Sequence, residues 1–179
     1  TFAANGVYAK PFIINEVQGP NKGILYQGRI QAQEVFKKDV MADLTYALSK
    51  ATSSGTAAVV GARVARPTAG KTGTSNDNAS AWFNGYTPEV AASVAFYRDD
   101  ATQTLNGIGG LTSVTGGSFP ARIWAEFVKK YLAKAPVQQF PEPAFIGGSE
   151  PVSYINAVPE MDPALVPPSA TPKPKKKKS

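Results

Sequence analysis

Most of the structural information in this chain lies in the stretch Arg66-Pro67-Thr68-Ala69-Gly70-Lys71-Thr72-Gly73-Thr74-Ser75-Asn76, which is followed closely by Ala81-Trp82-Phe83-Asn84-Gly85-Tyr86. Residues 68–75 are predicted as a strand, and residues 79–86 and 90–97 as an antiparallel hairpin behind it. On a strand, Thr72 and Thr74 share one face because alternate side chains point the same way. The strand therefore presents a lysine and two hydroxyls, which can bind a small carboxylate and polarise the carbonyl beside it.

Composition narrows the possible chemistry. The chain has 179 residues, of which 42% are hydrophobic, enough for one ordinary domain. It has no cysteine and no histidine, which excludes disulfides, Ser-His-Asp catalysis and most zinc or iron sites. We therefore predict no metal and no cofactor. The net charge is +6, but basic residues do not alternate with aromatic ones along a helix, so nucleic acid is not a predicted partner.

Two helices are predicted around the motif strand. The first starts at Asp39 and ends at residues 53–55, with one apolar face formed by Val40, Met41, Leu44, Leu48 and Ala51. The second starts with Ser118 as N-cap and Pro120 in its first turn. Its predicted apolar stripe consists of Ile123, Trp124, Phe127, Val128, Tyr131 and Leu132. Trp82, Phe83 and Tyr86 are predicted to be core residues.

The two ends of the chain differ from the middle. Residues 1–6 are typical of the last turn of a helix that ends at a glycine cap, and we interpret residue 1 as a cut or an internal chain start. An extended segment over residues 7–17 and a hairpin over residues 22–29 follow. Ten of the 15 prolines lie in residues 136–179, so we predict a domain over residues 1–135 and a poorly ordered Pro/Lys-rich tail over 136–179. A solvated tail is the first interpretation of Lys175–Lys178. The alternative, binding to anionic membrane or wall polymer, is testable by co-sedimentation with anionic liposomes.

Five blocks of sequence stand in the order found in one known family. They are Thr1-Phe2-Ala3-Ala4-Asn5-Gly6, the helix from Asp39 ending near Gly55-Thr56, Pro67 to Thr74, Ala81-Trp82-Phe83-Asn84-Gly85-Tyr86-Thr87-Pro88, and Thr115-Gly116-Gly117-Ser118-Phe119-Pro120-Ala121-Arg122-Ile123-Trp124. Through them, residues 1–135 resemble the C-terminal half of the transpeptidase domain of class A (bifunctional) penicillin-binding proteins. Many members place an acidic residue where this chain has Ser80. The family's other two motifs, Ser-x-x-Lys with the nucleophile and Ser-x-Asn, do not occur in residues 1–179.

The resemblance implies an α+β fold, an antiparallel sheet with flanking helices. It implies a serine-type D,D-transpeptidase that cross-links peptidoglycan stem peptides ending in D-Ala-D-Ala and is acylated by β-lactam antibiotics. Lys71 and Thr74 would be catalytic, and Thr72, Gly73 and Thr74 would bind substrate. The nucleophile would come from the N-terminal part of the same protein, which in the family also carries a membrane anchor and a glycosyltransferase domain. The implied location is the extracytoplasmic face of a bacterial cell membrane.

Other functions share parts of this sequence pattern. A D,D-carboxypeptidase or a β-lactamase-type hydrolase would share the Lys-Thr-Gly motif, and a non-catalytic fragment is a further alternative, because residues 1–179 alone are expected to be inactive. Ala65-x4-Gly70-Lys71-Thr72 matches a relaxed phosphate-loop pattern, which requires that a helix start there. An N-terminal threonine hydrolase would need Thr1 at a strand end. Asn76, Asp77 and Asn78 are predicted turn formers, with Asn76 an alternative cleft residue.

Overall fold

The computed structural model describes residues 1–100 and 102–147. The elements follow in the order β1 (Val7–Ala9), β2 (Glu16–Gln18), β3 (Ile24–Gln27), β4 (Ala32–Glu34), α1 (Lys38–Ser53), α2 (Ala58–Arg63), β5 (Ala69–Thr74), β6 (Ser80–Tyr86), β7 (Ala91–Tyr97) and α3 (Phe119–Tyr131). Short 3₁₀ turns lie at Asn76–Asn78 and Ile108–Gly110. This is the predicted α+β class.

The strands form three antiparallel sheets. β1 pairs with β4, and β2 pairs with β3 in a hairpin over residues 16–27, so the predicted hairpin is present but begins before residue 22. β5, β6 and β7 form the main sheet in that order, as the motif region predicted. No helix among residues 1–100 and 102–147 has both the length and the apolar character that crossing a membrane requires.

The main core lies between one face of this sheet and helices α2 and α3. Its centre is the contact of Phe83 with Trp124, whose rings meet edge to face at 5.3 Å, and neither side chain is exposed. The Trp124 indole N–H donates to the Ala92 carbonyl at 3.1 Å. This bond satisfies the one polar group of a fully buried tryptophan.

The predicted apolar faces of both long helices need correction. On α1, Met41 is buried as predicted, but Val40 is 41% exposed, and Ala42, Thr45 and Thr52 complete the buried face. On α3, Trp124, Val128 and Leu132 are buried beside Ala121 and Ala125, whereas Ile123, Phe127 and Tyr131 are exposed.

Two smaller predictions also need correction. Trp82 is 40% exposed, because alternation along β6 turns Phe83 inward and Trp82 outward. Ser118 does not cap α3 with its side chain, although Pro120 stands in the first turn as predicted. The Ser118 hydroxyl instead exchanges hydrogen bonds with the backbone of Thr115.

The start of the chain has the predicted helix-end geometry. The Gly6 N–H donates to the Thr1 carbonyl at 3.1 Å, and the Asn5 N–H donates to the Phe2 carbonyl at 3.0 Å. Asn5 and Gly6 both have positive φ, at 50° and 94°. This pattern is a Schellman motif, in which Asn5 takes the left-handed position.

The compact unit extends to Ile146, beyond the predicted domain end at residue 135. Phe145 and Ile146 donate their backbone N–H groups to the Asp43 carboxylate at 2.7 and 2.9 Å. Burial raises the pKa of Asp43, but these bonds outweigh it and the pKa lies below its ordinary value. Phe140 packs against Tyr86. Composition suggested disorder because this segment has no core of its own, yet it packs on the existing one. The tail beyond Gly147, including the lysine run, lies outside the described residues.

Candidate active site

The motif strand β5 is an edge strand whose outer side faces no other strand in the described part of the chain. The Ser75 N–H donates to the Ser80 carbonyl at 3.0 Å, which makes this a hydrogen-bonded pair. Hydrogen-bonded and non-hydrogen-bonded pairs alternate along an antiparallel ladder. Thr74, opposite Ala81, and Thr72, opposite Phe83, therefore direct their backbone N–H and C=O groups outward. The free edge offers these groups to a ligand.

The side chains of the motif divide between the two faces of the sheet. Thr72 and Thr74 share the face of Phe83, so the two hydroxyls lie on one side, as their spacing predicted. Lys71 and Gly73 are on the opposite face. The Lys71 ammonium bends back to the edge, where it donates to the outward Thr72 carbonyl at 2.9 Å. A positive charge and two hydroxyls thus converge on the same strand edge.

Two residues that the sequence did not single out contact the motif hydroxyls. Thr56, between α1 and α2, lies 2.8 Å from Thr72 between the two Oγ1 atoms. Gly116, in the loop before α3, donates its N–H to Thr74 Oγ1 at 3.2 Å. Both stand in blocks that carry the family resemblance, but they are 16 and 42 residues from their partners, so only the fold reveals the contacts.

Close packing against the middle of β5 occurs at Gly116 rather than at Gly73. A Cβ on Gly73 would lie 3.5 Å from Trp82 Cβ, an ordinary contact, so this chain's own atoms leave room for a side chain there. A Cβ on Gly116 would lie only 2.8 Å from the Gly73 carbonyl oxygen and 2.9 Å from its nitrogen. Gly116 therefore allows the loop before α3 to pack closely against Gly73.

A groove of about 650 Å³ lies on the Lys71 face of the sheet. It is lined by Thr1, Phe2, Ala3, Leu48, Gly70, Lys71, Asn84, Gly85, Tyr86, Ala91, Ala92 and Ser93. Ser93 donates its hydroxyl hydrogen to Asn84 Oδ1 at 2.6 Å, so it faces an amide oxygen rather than a base. Within the described ranges, no cluster of three carboxylates could hold a metal ion.

The remaining candidate residues have structural roles. Asp77 and Asn78 have φ values of 57° and 52°, which fits the predicted turn formers. Asn76 begins the same exposed 3₁₀ turn. Gly70, Lys71 and Thr72 lie inside β5 and do not open a helix, so the phosphate-loop alternative is wrong. Thr1 belongs to the turn that ends at Gly6 rather than to a strand end.

Comparisons with known proteins agree with this geometry. Residues 1–109 match the family model described as penicillin binding protein transpeptidase domain. Penicillin-binding protein 1A of Mycolicibacterium smegmatis is 31% identical over 179 residues, which cover 96% of this chain and 22% of that relative. Penicillin-binding protein 1F of Bacillus subtilis is 28% identical over 136 residues, 72% of this chain and 18% of the relative. The chain thus spans less than a quarter of the length of either relative.

Solved structures give the same result. PonA1 from Mycobacterium tuberculosis superposes with a TM-score of 0.66 at 25% identity, covering 79% of this chain and 38% of that one. The same protein has been solved in complex with penicillin V. Penicillin-binding protein 1A from Haemophilus influenzae shares the fold, with a TM-score of 0.64 at 20% identity. The resemblance identified from the five sequence blocks is confirmed, and the chain belongs to the penicillin-binding protein transpeptidase family.

Proposed function

We propose that this chain forms one wall of the active site of a serine-type peptidoglycan D,D-transpeptidase. The observation that carries the proposal is the edge of β5, where the Lys71 ammonium, the Thr72 and Thr74 hydroxyls and the outward Thr74 N–H lie together. The substrate is a stem peptide ending in D-Ala-D-Ala, and β-lactams acylate the same site. Family membership and the penicillin V complex of PonA1 support this choice of ligands.

Each motif residue has a role that follows from its chemistry. The Thr72 and Thr74 hydroxyls hold the substrate carboxylate, since a hydroxyl can donate and a carboxylate can only accept. Lys71 supplies positive potential and, with the serine of a Ser-x-Asn motif, moves the proton of the nucleophile. The Thr74 N–H is one oxyanion donor, and removing such a donor costs about 2.7–4 kcal/mol of barrier. Gly73 leaves space for the ligand on the Lys71 face of the strand.

The nucleophile comes from outside residues 1–179. We propose that the N-terminal part of the same protein supplies the Ser-x-x-Lys serine and the Ser-x-Asn loop. The serine displaces the terminal D-alanine to form an acyl-enzyme, and an amine of a neighbouring stem peptide then takes the acyl group. If water takes it instead, the enzyme is a carboxypeptidase or a β-lactamase-type hydrolase. The proposed location is the extracytoplasmic face of the cell membrane, with the anchor outside this chain.

Labelled penicillin tests the proposal on the complete protein. We expect the complete protein to be acylated and residues 1–179 alone to remain unlabelled. Lys71→Ala should slow acylation about 100-fold or more, the usual contribution of a positioned proton-transfer group. Lys129→Ala, which removes an exposed lysine in the last turn of α3, is the matched control and should react at the normal rate.

Two results would contradict the proposal. One is normal acylation of the Lys71→Ala protein, which would remove Lys71 from the catalytic machinery. The other is labelling of residues 1–179 alone, which would mean that the nucleophile lies within this chain. Thermal unfolding of each variant, compared with the wild type, separates loss of chemistry from loss of structure.

A further inference from the structure

We infer that Thr56 is a positioning residue for carboxylate recognition: its hydroxyl donates to Thr72 and so commits the Thr72 hydrogen to the carboxylate of the bound peptide or β-lactam. The inference rests on the proposed function and extends it to a residue outside the Lys71–Thr74 motif. It starts from the 2.8 Å contact between the two Oγ1 atoms.

The direction of this hydrogen bond follows from proton counting. A threonine hydroxyl has one hydrogen to donate and can accept as well, whereas an ionised carboxylate can only accept. Alone, the Thr56–Thr72 contact can form with either residue as donor. Once Thr72 gives its hydrogen to a carboxylate, the contact persists only if Thr56 is the donor. Thr56 therefore occupies the acceptor side of Thr72 and polarises the O–H bond that faces the ligand.

Thr74, the second hydroxyl of the motif, is held in the same way by a different group. The Gly116 N–H donates to Thr74 Oγ1 at 3.2 Å. A backbone amide can only donate, so it occupies the acceptor side of Thr74 and leaves the hydroxyl hydrogen for another partner. The oxygen of each motif hydroxyl thus accepts a hydrogen bond from the protein. Each hydroxyl keeps its own hydrogen, and both hydrogens can be donated to one anion.

The backbone around Thr56 is fixed tightly enough for this role. The Gly55 N–H donates to the Lys50 carbonyl at 2.9 Å, and the Ala57 N–H donates to the Ala51 carbonyl at 3.0 Å. Ala57 is completely buried, whereas Thr56 is exposed. Gly117 packs so closely that a Cβ on it would collide with the Thr56 carbonyl oxygen. The loop is therefore anchored on both sides, which holds the exposed Thr56 side chain against Thr72.

The test uses the complete protein and two forms of one penicillin, the free acid and its methyl ester. Thr56→Val removes the hydroxyl but keeps the branched shape of the side chain. We expect the second-order acylation rate constant for the free acid to fall about tenfold, the factor that corresponds to about 1.4 kcal/mol. The constant for the ester should change much less, because the ester has no carboxylate to bind. Thr56→Ser keeps the hydroxyl, so its ratio of acylation rate constants for free acid and ester should equal the wild-type ratio.

A double variant tests whether Thr56 acts through Thr72. If it does, Thr56→Val combined with Thr72→Val should react with the acid no more slowly than Thr72→Val alone. Three results would overturn the inference. The first is a double variant whose rate constant for the acid falls by the product of the two single-variant factors. The others are Thr56→Val rate constants that fall equally for acid and ester, or that do not change. It is also overturned if Thr112→Val, at an exposed threonine in the loop before α3, gives the same acid-specific loss.

Failure of the inference is distinguishable from failure of the proposed function. If the wild-type protein is not acylated at all, the proposed function fails. If it is acylated but Thr56→Val reacts like wild type, only the role of Thr56 fails. Should Thr56→Val unfold, the acid-to-ester ratios of Thr56→Ala and Thr56→Ser make the same comparison, and equal ratios overturn the inference.

Discussion

Two threonine pairs connect the same two segments of this protein, one just before the motif strand and one in its second half. Thr52 meets Thr68 at 3.1 Å between hydroxyl oxygens, and Thr56 meets Thr72 at 2.8 Å. Each pair spans 16 residues. The first pair is buried, with exposures of 1% and 7%, whereas in the second Thr56 is exposed and Thr72 is half-buried. The same residue types at the same spacing therefore occupy opposite environments.

The difference lies in what the hydroxyl hydrogens do. In the buried pair, Thr68 donates to Thr52, and Thr52 shares its one hydrogen between the carbonyls of Thr68 and Ser49, at 2.8 and 2.9 Å. Every hydrogen of this pair is used inside the protein. In the exposed pair, the contact itself uses one of the two hydrogens, so the other can serve a ligand. We call the start of β5 beside Thr68 the closed end, because its hydroxyls bond only within the protein. The part beside Thr72 keeps a hydroxyl hydrogen for a ligand.

The largest effect on stability is expected from removing the buried ion pair that holds the residues just before β5. Arg66, just before β5, makes a 2.8 Å ion pair with Glu89, and both side chains are only 9% exposed. It also donates to the carbonyls of Leu132 and Ala135. Arg66→Ala should lower the free energy of unfolding by about 3–5 kcal/mol, because it leaves the buried Glu89 carboxylate without a positive charge beside it. Denaturant titration of the complete protein measures this effect.

The exposed pair of Arg63 with Glu126 provides the control for that experiment. Its oxygen–nitrogen distance is 3.1 Å, but its side chains are 45% and 46% exposed. Arg63→Ala should therefore cost less than about 1 kcal/mol. Equal losses in Arg66→Ala and Arg63→Ala would show that the buried pair does not anchor the strand.

A smaller change sharpens the contrast between the threonine pairs themselves. Thr52→Val should lower the free energy of unfolding by about 1–3 kcal/mol, because it leaves the hydroxyl of Thr68 and a buried carbonyl without their partner. Its ratio of acylation rates for free acid and methyl ester should match the wild type. Thr56→Val should do the opposite, sparing stability and changing the ratio. A changed ratio in Thr52→Val would mean that the two pairs do not divide their roles as described.

The sequence predicted the strands and helices better than their faces. β5 to β7 were predictable because the motif, the turn residues and the alternation of apolar residues all indicate the same structure. The buried face of α1 was not, because it carries Thr45 and Thr52, which bond to Tyr86 and Thr68. A count of apolar residues cannot place threonines in a core, since only the tertiary partners make their burial favourable.

The candidate site shows the same limit. Lys71, Thr72 and Thr74 could be chosen from the sequence because they belong to the Lys-Thr-Gly motif of the family that the chain resembles, and the alternation along one strand places both hydroxyls on one face. Thr56 and Gly116 could not, because their roles depend on loops that fold back over the strand from distant positions. Trp82 was misplaced for a related reason: two neighbouring aromatic residues on a strand cannot share one face.

The smallest expected effect concerns pH at the closed end of β5. Burial raises the pKa of Glu89, but hydrogen bonds from Thr87 and backbone N–H groups, together with the Arg66 charge, outweigh it and hold the pKa below its ordinary value. The folded state therefore binds the Glu89 proton more weakly than the unfolded state. This contribution to stability is complete above the ordinary pKa of a glutamate and is lost as the pH falls through the lowered one.

The difference in unfolding free energy between wild type and Glu89→Gln should shrink steadily on acidification. Asp43 and Asp100 also have lowered pKa values, but they titrate equally in both proteins and cancel in this difference. A difference independent of pH would show that the Glu89 charge does not stabilise the folded state.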